Sequence, residues 1–330
     1  MAGSIAVRRA AVVAGGTGIA SGMVALAVFR SAASNNVIIA AASFAPLLLV
    51  VTIVGAFVTA AARQWTLLGI SSLILALGAW AFGPLWVAGA AGGDTDPQGP
   101  SIRVMQSNIM VGSADPVALV QSVRDRHVDV LTIQELTEPS VDALRAAGLE
   151  DVLPHTFLEP DVTGAGGAGI YSRLPLENGR RVDGMALTNL VVDVDAGLEE
   201  PVVLYNVHPM PAFIAPAADW TADFERLRDE MDSTAVHENV IVSGDFNATY
   251  AHRKFRELRR SGYVDAADQT GAGVLPTYPA DRRYPAVVGI DHVLTKGARA
   301  ISLERVHVVG SDHYGLVAGV RLDSGENGRG

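Results

Sequence analysis

The sequence predicts a layered α/β domain preceded by three transmembrane helices. One observation carries the helices: no Asp, Glu, Lys or Arg occurs in Ala10–Phe29, Ser31–Ala62 or Gln64–Gly93. A bilayer core takes roughly 20 apolar residues per helix, so each stretch is long enough to span. Two further observations carry the α/β domain. Beyond residue 101 the texture changes to short β-like runs separated by turns and amphipathic segments. Several of those runs end in a polar side chain, and the C-terminal ends of strands are where α/β folds place chemistry.

The second and third apolar stretches have length to spare for tilt or interfacial ends. A cleaved signal peptide would account for the first stretch alone. Two spans plus a surface-lying segment is the competing arrangement. Arg8 and Arg9 precede the first stretch, Arg30 follows it, and Arg63 separates the other two. A cytoplasmic N-terminus puts three of these Arg inside and one outside. The positive-inside rule therefore predicts a multi-pass cell-membrane protein with an extracytoplasmic C-terminal domain. Trp65, Trp80 and Trp86 are candidate interfacial anchors. The boundaries follow: residues 1–90 form the membrane region, 91–101 a Gly/Pro/Asp-rich linker, 102–322 the α/β domain, and 323–330 a disordered tail.

Of 330 residues 49% are hydrophobic and the mean hydropathy is +0.27, an excess concentrated in the first third. The first 100 residues hold four Lys+Arg and two acids, which leaves 21 basic and 33 acidic residues, a net of −12, on residues 101–330. Such a surface repels polyanions on average and lacks the basic footprint of a nonspecific duplex-DNA binder. There is no Cys, which excludes a disulfide framework, thiolate zinc sites and a Cys nucleophile. Strands are expected at 102–107, 129–133, 168–172, 188–194, 201–207, 239–243, 287–294, 303–309 and 314–321. Helices are expected at 115–127, 139–147, 216–236 and 250–261; Phe224, Leu227 and Met231 recur at helical spacing in the third.

The most informative string is Val242-Ser243-Gly244-Asp245-Phe246-Asn247. It reads as a buried strand that ends at a Gly turn and presents a carboxylate and a carboxamide. Ser107-Asn108-Ile109 closes the first strand with an amide, and Ile133-Gln134-Glu135 closes the second with an acid. The run before Glu135 looks buried, and a buried carboxylate is costly unless paired or metal-bound. A strand-end salt bridge is the alternative for Glu135, and a simple turn the alternative for Asn108. A hard cation such as Mg²⁺ takes one or two protein carboxylates and completes its shell with water and substrate phosphate. Leu204-Tyr205-Asn206-Val207-His208-Pro209 ends in an imidazole suited to proton donation or phosphate contact. Asp291, inside Gly289-Ile290-Asp291-His292-Val293-Leu294, can pair with His313 of Ser311-Asp312-His313 and fix its tautomer. His292 alternates away from Asp291 and is expected to pack or face outward.

Seven pieces in this order resemble the endonuclease/exonuclease/phosphatase superfamily, which includes DNase I-like nucleases, inositol polyphosphate phosphatases and neutral sphingomyelinases. They are Ser107-Asn108-Ile109, Gln134-Glu135, Gly169-Ile170-Tyr171-Ser172-Arg173-Leu174-Pro175, Asn206-Val207-His208, Gly244-Asp245-Phe246-Asn247, Ile290-Asp291-His292-Val293-Leu294 and Ser311-Asp312-His313. The resemblance covers residues 101–321 and none of the first 100. It implies a four-layer α/β sandwich of DNase I-like type. It implies that Glu135 holds a divalent metal, Mg²⁺ or Mn²⁺, with Asn108 and Asp312 close by. His313, oriented by Asp291, would act as base or stabilise the transition state. Asp245 would align or deprotonate the attacking water, Asn247 would donate to a phosphoryl oxygen, and His208 would contact phosphate or protonate the leaving group. Many nuclease-like members carry an acid two residues after the first Asn; here that position is Met110.

Two motifs are expected to be decoys. Gly164-Ala165-Gly166-Gly167-Ala168-Gly169 matches a dinucleotide fingerprint but precedes a strand instead of opening a helix, so a close-packed or mobile loop is expected. The cluster Arg253, Lys254, Arg256, Arg259 and Arg260 reads as a solvated helix face. The sequence thus points to a membrane-anchored, metal-dependent phosphoesterase acting on a phosphorylated small molecule or a lipid headgroup. An exported nuclease acting on nucleic acid is the alternative enzyme, and a non-catalytic receptor for a phosphorylated ligand is the alternative outside enzymes.

Overall fold

A computed structural model describes residues 2–32, 35–89, 97–234 and 236–325. Residues 91–96 of the expected linker, residues 90–93 of the third apolar stretch and residues 326–330 of the expected tail lie outside the described residues.

The apolar region folds as a helix bundle of α1 (Ala2–Arg30), α2 (Asn36–Ser43), α3 (Ala45–Ala61) and α4 (Trp65–Phe82). Two helices, Ala6–Arg30 and Trp65–Trp86, are long and apolar enough to cross a membrane, and a third crossing exists if α2 and α3 count as one bent span. The expected middle span bends by 58° between α2 and α3. Pro46, in the first turn of α3, has no N–H to continue the ladder across the joint. Small residues let α1 and α3 touch. A Cβ on Gly18 would lie 3.2 Å from the Gly55 Cα, and the Thr52 hydroxyl donates to Gly18 O at 2.9 Å. The outer surface stays apolar, with Val13, Phe57, Leu73 and Trp80 all exposed.

The remainder runs β1 (Ser101–Asn108), α5 (Pro116–Asp125), β2 (Val130–Gln134), α6 (Glu138–Ala146), β3 (His155–Glu159), β4 (Ala168–Ser172), β5 (Leu176–Arg181), β6 (Leu190–Val194), β7 (Val202–Val207), α7 (Ala217–Thr234), β8 (Val240–Asp245), α8 (Arg253–Leu258), β9 (Val264–Asp265), α9 (Ala266–Thr270), β10 (Asp291–Lys296), β11 (Arg299–His307) and β12 (Tyr314–Arg321). The strands form two six-stranded sheets, ordered β11-β12-β1-β2-β4-β3 and β5-β6-β7-β8-β10-β9. Each sheet has one central parallel pair, β1–β2 or β7–β8, joined by a crossover helix, and is otherwise antiparallel. The helices start where local chemistry dictates. Asp115 accepts from Val117 N and Ala118 N ahead of α5, and Thr137 with Ser140 forms a capping box on α6.

Alternation along each strand divides the core into layers. Val104, Ile170, Leu204, Ile241 and Val293 meet between the sheets. Met105, Leu131 and Tyr171 face outward under Leu119, Val123 and Leu144 of α5 and α6. Tyr205 and Val242 face outward under Trp220, Phe224 and Leu227 of α7. Helix, sheet, sheet, helix makes the expected four-layer sandwich.

The bundle packs on this sandwich beside α7 and α8. Phe29, Phe82 and Tyr250 form an aromatic cluster with centroids 5.1–6.3 Å apart. Buried His252 meets Ile39 O at 2.9 Å, and Ala217 N, opening α7, donates to Asn36 Oδ1 at 3.2 Å.

Candidate active site

The C-terminal ends of the two parallel pairs converge. β1 ends on Asn108, Glu135 follows β2, His208 follows β7, and β8 ends on Asp245. Asp291 opens β10 directly opposite Asp245 in register, and His313 precedes β12. A cavity of about 210 Å³ is lined by Glu135, His208, Asp245, Asn247, Asp312 and His313. Gly244 is required where β8 closes against β7, because a Cβ there would sit 2.1 Å from Val207 O. Glu135 and Asn247 hold left-handed backbone, φ 61° and 48°, as do Met110 and Val111 at 49° and 50°. Such conformations cost free energy and persist only where surrounding contacts over-determine them.

Those contacts are specific. Val111 N donates to Glu135 Oε2 at 2.8 Å, and the Asn108 amide donates to Glu135 Oε1 at 3.0 Å and to Asp245 Oδ2 at 3.1 Å. One carboxamide therefore joins the two acids. Met110, whose place the resemblance gave to an acid in many nuclease-like members, offers its N–H, 2.9 Å from Asn108 Oδ1. The Asn247 N–H donates to Asp245 Oδ1 at 2.8 Å, and its side-chain amide donates to Pro209 O at 3.0 Å. His313 Nδ1 lies 3.0 Å from Asp291 Oδ2, which leaves Nε2 facing Asp245 Oδ2 at 3.7 Å and Asp312 Oδ1 at 4.0 Å. His208 Nε2 stands 3.8 Å from the same Asp245 oxygen, while its buried Nδ1 has no partner among the described residues.

Burial and charge set the protonation states. Burial raises the Glu135 carboxyl, only partly offset by the Asn108 and Val111 donors. Burial, then the neighbouring Asp291, raises Asp245. Burial lowers His208 and keeps it neutral. Burial also opposes charge on His313, but Asp291 and Asp245 outweigh it and push the imidazole up to about 10.

Among the described residues, one group of Asp, Glu and His side chains is spaced for a shared ion: Asp245, Asp291 and His313, with ligand atoms within 4.8 Å of one another. Glu135 and Asp312, expected as ligands together with Asn108, line the cavity beside it. A protonated His313 does not ligate, but the carboxylates outnumber that one cationic ring, and the oxygens of Glu135, Asp312 and Asn108 make an oxygen-only set that suits a hard divalent cation. The residues present fit such an ion.

Several residues escaped the sequence reasoning. Gln106 donates to Gln134 Oε1 at 2.8 Å and to Asp291 Oδ1 at 2.6 Å, and Gln134 donates to Asn206 Oδ1 at 2.6 Å. Asn206 returns to the other sheet through Ile133 O and Gly169 O at 2.8 and 2.9 Å. A Gln inside the buried run Val104-Met105-Gln106 was the available signal. Asn189 accepts the His208 N–H at 2.7 Å, and the Tyr278 ring lies 5.0 Å from the His313 ring; neither carried a sequence signal.

His292 points away from the site, bonded to Asp265 Oδ2 at 2.8 Å and Ala248 O at 2.9 Å, as strand alternation requires. The Gly-rich string is a close-packed loop, since a Cβ on Gly167 would lie 2.0 Å from Leu136 O. The basic cluster is only partly a solvated face. Arg253 and Lys254 pair with Glu257 and Glu225, but the Arg256 guanidinium lies 3.8 Å over the Phe29 ring and Arg259 binds buried Asp268.

The family model of the Endonuclease/Exonuclease/phosphatase family matches residues 105–313. The chain belongs to that family and is a metal-dependent hydrolase of phosphoric ester bonds. Among solved structures, a humanized D. rerio TDP2 carrying 14 mutations is similar at 15% identity and a TM-score of 0.55, over 67% of this chain and 98% of that one. An endonuclease/exonuclease/phosphatase from Bacteroides vulgatus is similar at 16% identity and TM-score 0.54, over 68% and 100%. One from Beutenbergia cavernae DSM 12333 is similar at 21% identity and TM-score 0.51, over 68% and 72%. These likenesses show the fold. No curated protein matches the chain.

Proposed function

We infer that the chain is a membrane-anchored, Mg²⁺-dependent phosphoesterase with an extracytoplasmic catalytic domain, acting on a phosphodiester or phosphomonoester of a small molecule or a lipid headgroup. The convergence of Glu135, His208, Asp245, Asn247, Asp312 and His313 on one cavity carries this reading. Among the described residues no Lys or Arg lines that cavity, which counts against the exported nuclease. The full set of polar groups counts against the receptor. The bundle supports the topology. Gly15 faces Thr59 and Leu67, and Gly22 faces Thr52 and Ile74, so α1 runs against α3 and along α4. Arg8, Arg9 and Arg63 then share the end remote from the catalytic domain, as the positive-inside rule asks.

Glu135, Asn108 and Asp312 would hold the cation, and Mn²⁺ suits the same donors. Once bound, a divalent ion draws charge from phosphoryl oxygens and favours ionisation of nearby water. Asp245, raised by burial, aligns the attacking water and takes its proton. Asp291 fixes the His313 tautomer and favours the imidazolium, which stabilises charge on the equatorial oxygens. Asn247 has a second amide hydrogen to donate to a phosphoryl oxygen. His208 contacts phosphate through its ring N–H when neutral, and protonates the leaving oxygen only in turnovers where it has first gained a proton, which burial disfavours.

Purified full-length protein is expected to release nitrophenol from bis(4-nitrophenyl) phosphate with Mg²⁺, and EDTA to stop it. Undiminished turnover in Asp245→Ala or His313→Ala would sink the mechanism. A C-terminal alkaline phosphatase fusion is expected to be active; an inactive one reverses the topology.

A further inference from the structure

The catalytic cavity has an apolar wall that the chemistry does not use, formed by Leu187, Met210, Pro211, Phe213 and Ile214. Residues 209–218 carry no charge, within a domain of net −12. Phe213 and Ile214 are each 72% exposed at the mouth of the cavity. Two adjacent large apolar side chains in water mark a surface meant to be covered.

The structure also says what lies next to them. The Asn36 amide, at the start of α2, donates to Ala212 O and, at 2.8 Å, to Ala215 O, and Ala217 N returns to Asn36 Oδ1. These bonds bracket Phe213 and Ile214 on both sides. The eight residues of α2 cover roughly 12 Å, so the loop stands about that far from the first turn of α3. Val37, next to Asn36, is 78% exposed. The apolar rim of the active site is therefore tied by hydrogen bonds, through Asn36 at the start of α2, to the apolar bundle.

We propose that residues 209–218 form a lip that enters the headgroup–acyl boundary of the membrane holding the bundle, and that the substrate is an amphiphilic phosphoester taken from that leaflet. This rests on the membrane placement and hydrolytic activity inferred above. The phosphoester group rises to Asp245 and His313 while its apolar part stays along Met210, Phe213 and Ile214. Water oxygen bonds to phosphorus and the P–O bond to the lipid alcohol breaks. The departing alkoxide takes up the proton that Asp245 removed from the attacking water, relayed through solvent, and remains in the leaflet as an alcohol, while the phosphorylated headgroup leaves into water. Among the described residues the cavity lining holds no Lys or Arg beside its catalytic groups, so it accepts one phosphate on a greasy stem and gives little grip to a polyanionic strand.

The chain has no Cys, so Ile214→Cys and Val236→Cys each supply a single thiol for a polarity-sensitive fluorophore. Val236 is 85% exposed and follows α7, whose 18 residues put it roughly 27 Å from the lip. Full-length protein is reconstituted with Mg²⁺ in vesicles of equal parts phosphatidylcholine, phosphatidylethanolamine and phosphatidylglycerol. The dye at 214 is expected to shift to the blue and to be quenched by brominated lipid, and the dye at 236 to do neither. Phe213→Ser with Ile214→Ser is expected to lower the ratio of lipid-phosphorus loss to soluble-ester turnover by roughly tenfold or more. A water-like dye at 214 overturns the lip. Soluble-ester turnover without loss of lipid phosphorus, or plasmid cleavage that outpaces it, overturns the substrate class. Failure on the soluble ester itself overturns the phosphoesterase reading instead.

Discussion

His252 offers a quantitative test of how the bundle sits on the catalytic domain. Its Nδ1 accepts the Thr249 N–H at 2.8 Å, so the neutral ring carries its hydrogen on Nε2 and donates it to Ile39 O at 2.9 Å. Charging the ring requires a proton on Nδ1, the atom already used as acceptor. Burial accordingly pushes His252 down from 6.5 to about 4. Between those values the unfolded chain binds more protons than the folded one, so stability rises with pH across the window. It is full above about pH 6.5 and falls as pH drops, and about 3 kcal/mol is lost by pH 4. His252→Gln removes the titration and subtracts a roughly constant 1–3 kcal/mol for the lost hydrogen bonds. Thermal unfolding of the full chain in detergent, compared between about pH 7.5 and pH 4.5, reads the difference. The wild-type Tm is expected to fall several degrees further than that of the variant, at roughly 2–4 °C per kcal/mol. Parallel curves for the two proteins would refute the reasoning.

Asp291→Asn keeps the side-chain shape but removes the anion behind His313, and turnover is expected to fall roughly 10²–10⁴-fold. The Tm of this variant should move little, because the repulsion between Asp245 and Asp291 disappears with the charge; a loss of less than about threefold in turnover would remove Asp291 from its orienting role. Glu135→Gln is expected to raise the Mg²⁺ concentration for half-maximal turnover by roughly 10–100-fold, and an unchanged titration curve would take Glu135 out of the cation site. Gly55→Val places branched carbons where a Cβ already lies 3.0 Å from Ala14 O, and it should destabilise the bundle by about 1–3 kcal/mol in a detergent melt.

The layered domain was legible because its central strands are buried on both faces and read as continuous apolar runs, such as Val202–Val207 and Val240–Asp245. What was missed had no such pattern. β5 is Leu-Glu-Asn-Gly-Arg-Arg, almost wholly exposed, and β9 is two residues long. β3 lies at the edge of its sheet with little burial on either face. The expected helix 250–261 shrinks to Arg253–Leu258 because His252 is extended at its start and a 3-10 turn takes over at Arg259. The site residues were legible as polar punctuation at strand ends, and Asn108, Glu135, His208, Asp245, Asn247, Asp291, Asp312 and His313 do come together. The support beneath them was not. Gln106 and Asn206 act by reaching across to the opposite sheet, and Tyr278 sits in a loop whose position depends on the finished fold.

That crossing of the sheets has a consequence for how activity can fail. Asn108, Glu135 and His313 ride on one slab, whereas His208, Asp245, Asn247 and Asp291 ride on the other. A slip of one residue between slabs would shift Asp291 by about 3.3 Å relative to its histidine and break their contact, although every strand would keep its own neighbours. Turnover should therefore be lost before circular dichroism registers any unfolding. The amide relay from Gln106 to Asn206 is the clasp that prevents the slip, and damage there disarms the enzyme while leaving it folded.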